Sequence, residues 1–249
     1  MTVPDDARPV PMPAKGDTEL SQNGGRRGVI GNERLTALAG AALLVLIVVE
    51  LVTTASLHTL LSVHVFVGVL LAGPLAVKLG STGYRFVRYY TRAPAYVRRG
   101  PPRLALRVLA PLLVATTLTL IGSGIGLVLA GPTQDQEGPL LRVHALSTLL
   151  WLPLLAIHAV AYFPRVPRLI ADDLSRPPVA QAPGRGVRLG VNLGAVLGGV
   201  IAAVLLLPVA APWNVWIQTN GNNGPAGPLV AGTLLAVLAL VAIRPLRWK

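Results

Sequence analysis

Long apolar runs without a charged residue dominate this chain. A membrane-spanning helix needs about 20 predominantly apolar residues. Three of the runs can each hold one such helix, and the fourth has room for two. The runs are residues 51–77 and 108–134 (27 residues each), 143–164 (22 residues) and 189–243 (55 residues). The pattern therefore predicts a chain that crosses a membrane several times.

Two further features complete this pattern. The segment NGNNGPAGP at 220–228 divides the longest run, because Gly, Asn and Pro favour turns over helix. Residues 35–55 form another apolar stretch, which only Glu50 interrupts. We predict an all-α, polytopic membrane protein with six transmembrane helices in a bundle. Their approximate bounds are 34–55, 58–79, 105–131, 141–163, 188–210 and 227–243.

The segments around these helices predict four regions. Residues 1–33 mix Pro, Gly and both signs of charge without apolar periodicity, which is typical of a disordered tail. Residues 34–163 form a four-helix core, and residues 164–187 form a basic loop. Residues 188–249 add two helices and a short basic tail.

Composition and charge agree with a membrane protein. Only 13% of the residues are charged, against about 25% in soluble domains. The net charge of +12 would suit a nucleic-acid partner, but its distribution excludes that class. With helices that alternate in direction, 21 of the 22 Lys and Arg residues lie on one side, and Arg142 is the exception. This positive-inside pattern predicts that both termini are cytoplasmic. The basic loop at 80–104 should contact membrane lipid headgroups.

The chain contains no cysteine. This excludes disulfides, cysteine-ligated iron–sulfur clusters and covalently attached c-type haem. The sequence also shows no P-loop, no GxGxxG and no nucleophile elbow. Any redox centre must therefore be bound noncovalently, within the membrane helices.

Histidines are the candidate ligands for such a centre. All four lie at or inside the second and fourth predicted helices, which run in the same direction. His64 lies about six residues into its helix and His144 about three, so at 1.5 Å per residue their depths differ by roughly 5 Å. Two imidazoles at matched depth on neighbouring helices can supply both axial ligands of a haem iron. His58 points about 120° away from His64 and is expected at the interface.

His158 follows His144 on the same helix. Fourteen residues separate the two, which places them about 40° apart around the helix axis and about 21 Å apart along it. They therefore share a face and lie in opposite leaflets. A polar contact between helices is the alternative role for His158.

This arrangement over residues 34–163 resembles the bacterial membrane cytochromes b of the b561 and formate-dehydrogenase gamma type. The resemblance implies that His64 and His144 ligate an outer haem b, and that His158 ligates an inner one. It also implies a location in the bacterial plasma membrane. The chain departs from the family because its first helix has no histidine for the inner haem. We expect one haem, with two as the alternative. An inner haem would have either a five-coordinate iron or Lys78 as its second ligand, and Lys78 is the less favoured of these.

Other residues add candidates around the haem. Gly122 and Gly124 in the third helix could let a flat porphyrin approach, although helix packing is the alternative. Arg142 could pair with a haem propionate, or it could simply be solvated. Glu50 could accept a proton beside a quinol, but a hydrogen-bonded buried acid is favoured. The motif Gly190-xxx-Gly194-xxx-Gly198 predicts close helix packing.

These features together predict a membrane-embedded electron-transfer protein that binds b-type haem. It would pass electrons between the quinone pool and a partner redox protein, as the membrane subunit of an oxidoreductase. The alternative is a haem-free transporter or an assembly or scaffold protein. The weak break at Gly73-Pro74 is the best transporter-like feature of the sequence.

Overall fold

The computed structural model describes residues 15–100, 104–132, 138–175, 183–220 and 226–243. All regular secondary structure in these residues is helical. The helices are α1 (Lys15–Ala55), α2 (Leu57–Leu70), α3 (Ala72–Tyr90), α4 (Pro94–Arg99), α5 (Leu104–Ala130), α6 (Pro139–Tyr162), α7 (Val166–Leu174), α8 (Arg185–Leu206), α9 (Ala211–Asn220) and α10 (Ala226–Ile243). A short 3-10 turn, Phe163–Arg165, joins α6 to α7.

Within the described residues, five helical stretches are long and apolar enough to cross a membrane. They are Asn23–Ala55, Leu57–Tyr90, Leu104–Ala130, Pro139–Leu174 and Arg185–Leu206. Each overlaps one of the first five predicted spans, although Leu104–Ala130 and Arg185–Leu206 end one and four residues before the predicted bounds, so the chain is an all-α, multi-pass membrane protein. The sixth predicted span corresponds to α10, an apolar helix of 18 residues.

The N-terminal part of the chain differs from the predicted tail of residues 1–33. Residues 1–14 lie outside the described part, but α1 is helical from Lys15. Val29 is buried with Ala93 and Tyr96 at α4, and Glu33 pairs with Arg99 at 2.9 Å. These contacts with a later segment stabilise a helix that the local composition does not predict.

The second predicted helix is divided into α2 and α3 at Leu71, three residues before Pro74. Pro74 has no N–H for the next bond of the helix, so the break falls where the sequence suggested. A Cβ at Gly73 would lie 2.0 Å from the Ala195 carbonyl oxygen, and one at Gly199 would lie 2.5 Å from the Leu70 carbonyl oxygen. These two glycines therefore allow α8 to cross closely over the break.

This crossing corrects the predicted role of the glycine motif in α8. Gly190, Gly194 and Gly198 are exposed, and a Cβ at any of them would meet no described atom within 4 Å. The buried glycine of the contact is Gly199, one residue beyond the motif. A spacing of four residues does place the three glycines on one face of α8, but α8 packs through the neighbouring face, which carries Gly199.

The helices form two groups with a cavity between them. In the first group α1, α2, α3 and α8 pack together, and α7 packs on α1; in the second, α6 packs between α5 and α10. Helix α9 spans both groups at one end of the cavity: the Trp213 indole N–H donates to the Leu127 carbonyl in α5, and Asn214 bonds to Ser62 in α2. The cavity therefore has walls from both groups and a cover from α9.

A buried ion cluster lies at the end that the charge pattern predicts to be cytoplasmic. The Asp173 carboxylate accepts from Arg188, and one of its oxygens lies 3.4 Å from an Arg34 nitrogen. The cluster ties α1, α7 and α8 together. The start of the first predicted span, at Arg34, thus lies at the same end as the start of α8, as helices of alternating direction require.

Candidate functional site

His64, in α2, is oriented by groups on α1. Its Nδ1 lies 3.0 Å from Glu50 Oε1 and 3.3 Å from Thr54 Oγ1. The Thr54 hydroxyl donates to the Glu50 carbonyl, so it can only accept from the imidazole. The Nδ1–H of His64 therefore points at α1, and Nε2 is left for other partners.

His144, in α6, is oriented in the same way by α5. Its Nδ1 lies 3.0 Å from the Leu120 carbonyl oxygen and 3.1 Å from Ser123 Oγ. A carbonyl oxygen only accepts, so Nδ1 carries the proton and Nε2 is the unprotonated nitrogen. A metal-binding histidine commonly donates its other ring N–H to a carboxylate or a backbone carbonyl. Both imidazoles have this arrangement.

The two rings lie close together across the gap between the helix groups. Their centroids are 6.3 Å apart and their planes are nearly perpendicular, at 87°. An imidazole nitrogen binds a metal at about 2.0 Å and lies about 1.1 Å from its own ring centroid, so two imidazoles on opposite sides of one metal ion have centroids roughly 6 Å apart. The matched depth expected from the sequence is thus present in the structure.

The donor set restricts which metal centre fits. In the described part of the chain, no three His, Cys, Asp or Glu residues are grouped so that they could hold a metal ion. A structural or catalytic zinc site needs three or four protein ligands. A haem iron needs only one or two, because the porphyrin supplies the other four. Two imidazoles with centroids 6.3 Å apart match the one or two protein ligands that a haem iron takes.

Both imidazoles line a cavity of about 890 Å³, which lies within the size range of ligand sites. Its walls are mainly aliphatic side chains of α1, α2, α3, α5 and α6. Trp213 and Trp216 line the end near α9, and Arg142 lies at that end too. The cavity is therefore an apolar chamber with polar groups at a few positions.

The glycines near the site differ in what surrounds them. A Cβ at Gly124 would lie 3.0 Å from His144 Cε1, so this glycine makes room for the imidazole. A Cβ at Gly68 would lie 3.2 Å from Glu50 Oε1. Gly124 lines the cavity, whereas Gly122 does not and has no described atom near its Cβ position. The porphyrin contact expected at Gly122 thus has no support from its position.

His158 and Lys78 line the opposite end of the same cavity. The His158 ring packs against Tyr162, with centroids 4.8 Å apart. Lys78 approaches Gly40, where a Cβ would lie 2.9 Å from Nζ. Unlike His64 and His144, neither side chain is hydrogen-bonded to a described residue. The structure brings the two candidates for an inner site to one chamber, without hydrogen bonds from described residues to orient them.

His58 is exposed and does not line the cavity, in agreement with its expected place at the interface. Its backbone carbonyl accepts a hydrogen bond from Gln218 in α9. Arg142 is also exposed, at the mouth of the chamber. The sequence thus separated the inward histidine of α2 from the outward one.

Sequence reasoning missed the groups that orient the two imidazoles. Glu50 was expected to be a hydrogen-bonded buried acid; the structure shows it hydrogen-bonded but only half-buried, and its partner His64 was not foreseen. The Leu120 carbonyl gave no signal, because a backbone group is present at every position. A polar residue near the same depth on a neighbouring helix, such as Ser123, was the only sequence clue.

No protein-family model matches this chain, and no curated protein and no solved structure is significantly similar to it. The geometry of the chain's own residues therefore has to support any functional assignment.

Proposed function

We propose that this chain is a membrane electron-transfer protein that binds haem b between His64 and His144. The observation that carries the proposal is the pair of imidazoles 6.3 Å apart, each with Nδ1 bonded to the protein. We further propose six membrane spans, with α10 as the sixth, in a cytochrome-b-like bundle in the bacterial plasma membrane with both termini cytoplasmic.

The residues around the pair fit this cofactor. The chamber is apolar and is lined by both helix groups, so a flat hydrophobic macrocycle can contact α2 on one side and α6 on the other. His64 and His144 would hold the haem iron through the ring nitrogen that is left free on each imidazole. Arg142 lines the same chamber, and its pairing with a propionate is part of the proposal.

In this function the haem supplies one-electron redox chemistry. The protein's residues bind and orient it: Glu50 and the Leu120 carbonyl hold the two imidazoles, and aliphatic side chains exclude water. A quinone and a partner redox protein remain the proposed electron donor and acceptor. We favour one haem per chain, because the first helix has no histidine and no described residue hydrogen-bonds to the side chain of His158 or Lys78.

The experiment is a spectrum of the detergent-purified protein before and after dithionite, together with a pyridine-haem assay. We expect the spectrum of low-spin, bis-imidazole haem b at one haem per chain. Protein purified without haem should be titrated with haem b, which distinguishes incomplete loading from the lack of a site. A folded protein that takes up no haem in either form contradicts the proposal and favours a transporter or scaffold role.

A further inference from the structure

The two imidazoles of the site are held by acceptors of different charge. His144 donates to a neutral backbone carbonyl, whereas His64 donates to the carboxylate of Glu50, each over 3.0 Å. Hydrogen bonds to an ionised group are roughly twice as strong as those between neutral groups. The site therefore contains one imidazole with an ordinary partner and one with a carboxylate partner.

The surroundings of Glu50 are arranged around this contact. Gly68 leaves the space that Oε1 occupies, since a Cβ there would lie 3.2 Å away. The second oxygen, Oε2, is buried and has no hydrogen-bond partner among the described residues. Acidic residues within membrane helices are costly and are usually functional. The principal contact of this carboxylate is with His64.

We infer that Glu50 is a positioning residue that makes His64 the more electron-donating of the two axial ligands. This inference rests on the proposed function. Glu50 keeps the proton on Nδ1, turns Nε2 toward the cavity and polarises the N–H bond, which raises the basicity of the imidazole. A more basic ligand and a nearby negative charge both stabilise ferric over ferrous iron. The midpoint potential of the haem is therefore lower than two neutral acceptors would give.

The first test replaces the carboxylate by an isosteric amide, Glu50→Gln, and measures the midpoint potential by optical redox titration. We expect a low-spin spectrum and a potential raised by about 59 mV, the one-electron equivalent of a tenfold change in the equilibrium constant. The matched control is Ser123→Ala, which removes a neutral partner of His144 and should shift the potential much less.

A second test covers the case in which Glu50→Gln loads haem poorly. In a His64→Gly background, external imidazole can enter the vacated position and donate its N–H to Glu50, whereas 1-methylimidazole has no N–H to donate. Adding Glu50→Gln should weaken imidazole binding about tenfold. It should leave the affinity for 1-methylimidazole unchanged, which a merely structural role of Glu50 does not predict.

The outcomes separate the inference from the proposed function. A wild-type protein that cannot be loaded with haem overturns both. A loaded wild-type protein overturns only the inference if Glu50→Gln leaves its potential unchanged. Equal effects of that substitution on imidazole and 1-methylimidazole binding would also overturn it.

Discussion

Both ends of the cavity carry histidine, but the hydrogen bonds to the histidine side chains differ between the two ends. At the end near α9, which the proposed topology makes the outer end, the Nδ1 of each of His64 and His144 is hydrogen-bonded to a neighbouring helix, and their rings lie 6.3 Å apart. At the inner end, His158 and Lys78 line the same chamber, but no described residue hydrogen-bonds to either side chain. A histidine in a membrane helix is therefore not enough to define a ligand. A histidine that could bind a ligand is distinguished from one that only lines a cavity by the hydrogen-bond partners that fix its tautomer and its ring orientation.

The largest expected effect comes from removing an outer ligand. His144→Ala should abolish the low-spin spectrum, because an iron that keeps only His64 becomes high-spin or dissociates. The measurement is the absorbance spectrum of purified protein after haem titration. His58→Ala is the matched control, since His58 is exposed and lies outside the cavity. If His58→Ala destroys the spectrum while His64→Ala preserves it, the α2 ligand has been misassigned.

A smaller effect is expected from crowding the outer end. Gly124→Ala places a Cβ 3.0 Å from His144 Cε1, so the imidazole must shift. Overpacking of this kind costs about 1–3 kcal/mol, and haem affinity should fall accordingly, as measured by competition with a haem-binding apoprotein. Gly122→Ala is the control, because its Cβ would meet no described atom. Equal affinities in the two variants would argue against a tightly fitted His144.

The inner histidine should be nearly dispensable for haem binding. His158→Ala should leave haem content at one per chain and the outer spectrum intact. Loss of a polar contact between membrane helices costs about 0.6 kcal/mol on average, which thermal unfolding in detergent can detect. Two haems per wild-type chain, with half of the haem lost in this variant, would contradict the contrast between the two ends.

The smallest effect is expected at Gly40, beside Lys78. Gly40→Ala places a Cβ 2.9 Å from Lys78 Nζ, the far end of a flexible side chain that can move away. The spectrum and the haem content should be unchanged, and stability should change by well under 1 kcal/mol. A changed spectrum would show that the position of Lys78 is fixed after all.

The sequence was informative about positions along a single helix, because these follow from the constant rise per residue. The depths of His64 and His144 depend only on helix boundaries and on 1.5 Å per residue, and the rings do meet. Charge-free length likewise predicted four of the five spans that the structure supports, and the remaining one, 34–55, is interrupted only by Glu50. These properties belong to single helices, which a sequence describes well.

Relations that depend on how helices rotate against each other were not predictable. The contact between Glu50 and His64 requires a particular face of α1 to meet α2, and the glycine that packs in α8 is Gly199 rather than its neighbour Gly198. A shift of one residue rotates the helix face by about 100°. In a helix that is apolar on all sides, the hydrophobic pattern does not show which face packs. The helical part of the expected tail depends on contacts with α4 that local composition does not contain.

The division of the cavity between two helix groups has a consequence for biosynthesis. His64 and His144 are 80 residues apart in the chain. At about 5–20 residues per second, a ribosome needs roughly 4 to 16 s to add the second imidazole after the first. The first group is also incomplete until α8 has been made, because α8 packs back onto α2 and α3. The nascent protein therefore spends seconds in the membrane with half a chamber, and delivery of any ligand that bridges the two groups must wait until translation has passed the fourth membrane helix.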